Sequence, residues 1–221
     1  MIFLSSLRKD NFFKRYLIKN DIQLNSSLSF KSCFIEKNII TYIPSKLLLP
    51  NNPLFIKSTI DNCIKLSYLS KGVSIFLFND NNFKIKLATE LASVYGQRVS
   101  LENYPELDNQ IVCSNFEWWI NNLHSICPPD QIIIPLLPFP NLVEPINQQI
   151  ISFFKSQSGD WFREFMFPES FQIIDKAVSP LRKNSGKLVF LDGRISNRKW
   201  GRDMLEMIQP QKVITYMIPF D

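Results

Sequence analysis

The sequence predicts an α/β fold: a doubly wound, mostly parallel sheet with helices on both faces, preceded by a less regular N-terminal segment. Two observations predict it. From Gly72 onward, short runs rich in β-branched and aromatic residues alternate with longer stretches of helical periodicity, as when each strand returns to its sheet through a helix. The 221 residues are also 45% hydrophobic and 13% aromatic, enough to bury the core of one large domain or of a domain with an appendage, which excludes disorder throughout.

Residues 1–65 scatter Asn, Ser and Lys among short apolar runs, and Pro44, Pro50 and Pro53 punctuate YIPSKLLLPNNPLF. They are expected to be irregular, leaving 66–221 as the regular domain. GVSIFLF reads as a buried strand, NDNN as a turn supplying an N-cap, and FKIKLATELASVYG as a helix closed by Gly96. Phe83, Leu87, Leu91 and Val94 recur at helical spacing and are expected to face the sheet. QRVSLE, IVCS, QIIIPLLPF, KLVFLD and KVITYMI are further strands, with helices near 115–124, 141–156, 160–178 and 198–208. In such a sheet, ligands lie beyond the carboxyl ends of the strands.

Lys and Arg exceed Asp and Glu by five, a balance that permits attraction to phosphate without identifying a partner. Cys33, Cys63, Cys113 and Cys127 form no CxxC pair and have one histidine, His124, for company, so they read as reduced core thiols. The stretch 1–7 is apolar but short and runs into Arg8 and Lys9, unlike a secretory signal, and no apolar run approaches a membrane span. A soluble protein of a reducing cytoplasm, with no membrane partner, fits best.

The sequence contains no GxxxxGK[ST] loop, and no GxGxxG follows a strand, so the chain by itself lacks a familiar nucleotide cradle. His124 has no nucleophile-elbow neighbour and reads as a histidine on an amphipathic helix. Trp118 and Trp119 could stack on bases, but adjacent helical residues point apart and at least one is expected in the core; Trp161, Phe162, Phe165 and Phe167 are read in the same way. In LDGRISNRKWGRDM, Arg194, Arg198, Lys199 and Arg202 crowd a strand's carboxyl end and a helix start. They could hold phosphate, or form a solvated face through Arg202 with Glu206 and Lys199 with Asp203 at i, i+4 spacing.

The order of these segments resembles the second motor lobe of DinG/XPD-type superfamily two DNA helicases, closest to compact cyanobacterial relatives. VFLDGRISNRKWGRDMLEMIQP is similar to the end of that helicase domain, with Trp200 and Gly201 at its tyrosine–glycine position. IIIPLLPFPNLVEP resembles the stretch after motif five, GVSIFLFNDNNFKIKLATELA resembles motif four, and FLSSLRKDNFFKRYL resembles the tail of motif three. The departures are specific. NFEWWINN lacks the glycine of the family's motif five, and at motif six DKAVSPLR puts Ser179 in place of the first arginine, leaving Arg182 at the second.

The resemblance implies a RecA-like lobe that binds single-stranded DNA. It would complete an ATP site only with a first lobe from another chain, which would also bring ATP and Mg²⁺. It makes Arg182 the candidate catalytic residue. It places the DNA face at Asn79, Asp80 and Asn82, around Ser114 and Trp118, and at Arg194, Arg198 and Arg202. Without phosphate loop or complete motif six, the chain alone is expected to be inactive, as a truncated motor or as a helicase-derived module that binds nucleic acid or protein.

Overall fold

The computed structural model describes residues 37–208 and 211–215. The motif-three-like opening, the apolar run 1–7, Cys33 and the last residues of KVITYMI lie outside them.

Among the described residues seven strands form one sheet in the order β3-β4-β2-β5-β6-β1-β7, and every pairing is parallel. The strands are β1 (Ile39–Tyr42), β2 (Ser74–Phe78), β3 (Val99–Leu101), β4 (Ile111–Asn115), β5 (Gln131–Ile134), β6 (Lys187–Phe190) and β7 (Gln211–Ile214). The helices are α1 (Phe55–Leu69), α2 (Asn81–Tyr95), α3 (Phe116–Asn122), α4 (Pro145–Ser156), α5 (Phe167–Val178), α6 (Leu181–Asn184), α7 (Arg194–Asn197) and α8 (Lys199–Met207), with a π-helical turn at Phe162–Met166.

The central strands are apolar on both faces because both are covered. Phe76, Phe78, Ile111, Cys113, Ile133 and Val189 face α1 and α2, meeting Phe55, Ile60, Cys63 and Leu66 from one helix and Phe83, Leu87 and Leu91 from the other. Alternate residues Ile75, Leu77, Val112, Ile132, Leu188 and Phe190 point the opposite way and are equally buried. On that second face α3 packs on β2 and β4, and α5 packs on α3. The indole Nε1 of Trp119 donates to the Ala177 carbonyl at 2.8 Å, joining those two helices.

Each predicted strand is present, and so is the helix closed by Gly96, whose φ of 56° is a conformation that favours glycine. Val94 departs from expectation and is 55% exposed; the buried stripe is Phe83, Leu87 and Leu91 with Lys84 and Ala88. At about 100° per residue Val94 falls on the same side of the helix as Phe83 and Leu87, so its exposure reflects its place in the last turn of α2 and not a rotation of the stripe. The expected boundary at residue 65 falls inside α1, and 37–65 is not irregular throughout: β1 lies between β6 and β7 in the sheet. α1 buries Phe55, Thr59, Ile60, Cys63, Leu66 and Ser67, a helical period that the preceding prolines and the interleaved Lys, Asn and Asp obscure in sequence.

Cys63 and Cys113 are buried free thiols, as expected, but Cys127 is exposed in the Pro-rich approach to β5. Burial pushes the Cys113 thiol up to about 12, so it stays protonated. His124 lies in an exposed turn just past α3 rather than on the helix.

Candidate nucleic-acid interface

Because every strand is parallel, one edge of the sheet gathers all the carboxyl ends. Across its middle run the exits of β4, β2, β5 and β6, with adjacent strands spaced by about 4.8 Å. Asn79, Asp80 and Asn82 are exposed at the exit of β2, where Asp80 accepts from the Phe83 amide at 3.0 Å and caps α2. At the exit of β4, Ser114 is fully buried and its hydroxyl donates to the Asn115 carbonyl, so its side chain is turned inward. Trp118 is half-buried and rests against Tyr104 with ring centroids 5.8 Å apart. The indole that could stack and the indole that belongs to the core are thus Trp118 and Trp119 respectively.

A partly buried ion pair fixes that end. Lys84 donates to the Glu102 carboxylate at 2.5 Å, and Glu102 accepts the Asn115 amide at 3.2 Å, tying α2 to the exits of β3 and β4. The Lys84 hydrogen bond holds the Glu102 carboxyl below the usual carboxylate range, against a smaller opposing effect of burial.

At the β6 exit, Asp192 is fully buried. Its carboxylate accepts from the Leu137 amide at 3.0 Å, from the Arg194 amide at 2.9 Å, and from the Arg194 guanidinium at 2.6–3.0 Å. It therefore clamps the chain leaving β5 to the chain leaving β6. Arg194 is committed to this clamp, and its guanidinium also lies 5.0 Å from the Phe139 ring centre. Phe139, Phe162 and Trp200 form a ring cluster at 5.2–5.6 Å, and the π-helical turn carries Phe162 into it. The cluster gives Trp161, Phe162 and Phe167 a packing role.

Arg198, Lys199 and Arg202 are exposed around the start of α8. Asp203 pairs with Arg163 at 3.4 Å rather than with Lys199, because the turn at Phe162–Met166 brings Arg163 alongside α8. Gly201 lets α8 approach α7: a Cβ there would lie 2.0 Å from the Ile195 carbonyl oxygen. A cavity of about 520 Å³ opens beside Asn197, lined by the loop 47–53, whose Leu48 carbonyl accepts the Gly193 amide at 3.1 Å.

Arg182 is elsewhere. It precedes β6, and its carbonyl accepts the Lys37 amide just ahead of β1, so it stands at the amino edge of the sheet. The side chain is 4% exposed and paired with Asp175 at 2.7 Å, while Ser179 is exposed at the end of α5. The sequence-derived candidates therefore divide into a carboxyl-edge group and one buried arginine on the opposite edge. Lys84, Glu102 and Tyr104, which help organise the carboxyl edge, went unmarked in the sequence, whereas Asp192 was legible as the end of an apolar strand but not as a buried clamp. Among the described residues no group of three or more His, Cys, Asp or Glu is placed to hold a metal ion.

Comparison with solved structures decides the fold. Xpd4 of S. tokodaii superposes on 87% of this chain and 41% of its own with a TM-score of 0.57 at 13% identity. The chain has the RecA-like fold of XPD helicases. A second XPD helicase covers 82% of this RecA-like chain and 36% of its own, with a TM-score of 0.56 at 11% identity. In sequence, 89 residues are 32% identical to the ATP-dependent DNA helicase DinG of Photobacterium profundum, spanning 38% of this chain and 13% of that protein. No protein-family model matches. The resemblance to DinG/XPD-type helicases read from the motif order is thus met again in fold and in sequence, over about two-fifths of the length of the XPD structures and far less of DinG.

Proposed function

We propose that this chain acts as the second RecA-like lobe of a DinG/XPD-like motor and that its task is to hold single-stranded DNA along the carboxyl edge of the sheet. The observation that carries the reading is the exposed cation group Arg198, Lys199 and Arg202, which lies beside the Asp192 clamp on an XPD-like fold. Arg and Lys there would meet phosphate oxygens without reading base sequence, while Asn79 and Asn82 offer uncharged contacts further along the edge. Arg194 supports the edge from below rather than reaching out, since Asp192 occupies its guanidinium.

ATP turnover would need a separate first lobe carrying a phosphate loop and a Mg²⁺-binding acid. One observation favours the second reading, a helicase-derived binding module without turnover: Arg182 is buried against Asp175, and Ser179 stands where the first motif-six arginine would be. Arginines that reach the γ-phosphate supply much of the transition-state stabilisation in phosphoryl transfer. Phosphate release measured with and without single-stranded DNA tests both readings. The chain alone is expected to release none, and release by the pure chain would overturn the proposal. DNA-stimulated release on adding a first lobe of DinG type marks the motor reading, and DNA binding without it marks the module.

A further inference from the structure

We propose that the corner of the molecule at β3 and α3, centred on Tyr104 and Trp118, docks a basic polypeptide segment. From Val99 to Phe154 the sequence contains six carboxylates and neither Lys nor Arg, in a chain whose net charge is +5. Of these, Glu106, Asp108 and Glu117 are exposed and flank an apolar surface where Leu101 is 49% and Tyr104 43% exposed.

The surface is preformed. Tyr104 donates its hydroxyl to Asn122 Oδ1 at 2.6 Å, and Asn122 Nδ2 donates to the Trp118 backbone carbonyl at 2.7 Å, so Asn122 ties the Tyr104 ring to the backbone of α3. The loop between them is pinned by Gln110, whose Oε1 accepts the Glu106 amide at 2.6 Å and the Leu107 amide at 3.2 Å. Binding here would spend little on ordering.

The charge decides the occupant. Guanidinium and ammonium groups are drawn to aromatic faces and form charge-assisted hydrogen bonds with carboxylates, whereas a nucleic-acid backbone would meet three exposed carboxylates against one nearby cation, Arg98, whose guanidinium is held on the Asn109 carbonyl. Apolar side chains of the same segment would cover Leu101 and the ring edges.

The experiment uses the full chain and a fluorescently labelled octapeptide of alternating arginine and leucine, read by anisotropy. A peptide with glutamate in place of arginine and an oligo(dT) of similar label serve as comparisons. The arginine peptide is expected to bind, the glutamate peptide not, and Glu106→Gln with Glu117→Gln should weaken the arginine peptide about fivefold while leaving oligo(dT) affinity unchanged or tighter. Both substitutions are on exposed side chains, and an unaltered thermal melt confirms folding. Tyr104→Leu is the second variant and should weaken the peptide as well. Peptide affinity unchanged in the glutamine variant would overturn the proposal. So would loss of oligo(dT) binding in Tyr104→Leu with the peptide unaffected, which would make the corner a base-stacking site.

Discussion

The Asp192 carboxylate lies wholly inside the protein and collects two backbone amides and the Arg194 guanidinium, so its removal strands several donors at once. Breaking a buried pair of this kind costs about 3–5 kcal/mol, and Asp192→Ala is expected to lower unfolding free energy by that amount in a urea titration. A loss below about 1 kcal/mol would mean the clamp is not structural. Glu102 gives a pH-dependent counterpart. Its folded carboxyl sits below the usual range, so the Lys84 interaction adds stability that is complete above the ordinary carboxylate pKa and is lost as pH falls through the lower folded value. Lys84→Met should therefore be less stable than the parent at pH 7, and the gap should narrow as pH falls through the carboxylate range; a gap independent of pH would contradict the assignment. At this scale the sequence revealed residue types better than their commitments. The crowding of arginines after Asp192 was legible, but that Arg194 turns back onto Asp192 while Arg198 and Arg202 face solvent depends on the turn between β6 and α7.

Among elements, α2 is the clearest case of pattern becoming structure. Asp80 caps it, Gly96 closes it, and Leu87 is fully buried against the sheet while Val94 is mostly exposed. Leu87→Ala is expected to cost about 2–5 kcal/mol through reduced burial and a residual cavity, and Val94→Ala less than about 0.5 kcal/mol, as measured by thermal or urea unfolding. Equal costs would show that the buried stripe had been misplaced. The strands from β2 to β6 were legible because each is an apolar run between turn signals. β1 and α1 were not: β1 lies in the stretch where Asn, Ser and Lys break up the apolar runs, and the prolines before α1 read as an extended stretch until the helical spacing of Phe55, Ile60, Cys63 and Leu66 is followed past them. The π-helical turn at Phe162–Met166 has no signature that a period of about 3.6 residues would detect, although it decides where Phe162 and Arg163 point.

For the molecule as a whole, the carboxyl edge is electrostatically divided. The β6 end carries Arg198, Lys199 and Arg202, and the β4 end draws on a stretch of chain without any Lys or Arg. Net charge alone concealed this, since the excess of five positive charges says nothing about where they lie. The fold was readable from the alternation of strands and helices and from the motif order, whereas the division of the edge required knowing which strands are neighbours. The central claim, that single-stranded DNA lies along this edge with its phosphates at the β6 end, is tested most directly by the salt dependence of oligo(dT) binding to the parent and to Arg198→Ala with Arg202→Ala. The parent should bind, with log Kobs falling linearly against log salt concentration, and the folded variant should show a slope shallower by about 0.7 for each phosphate it no longer neutralises, hence about 1.4 for both arginines. No binding by the parent at low salt, or an unchanged slope in a folded variant, would contradict the account.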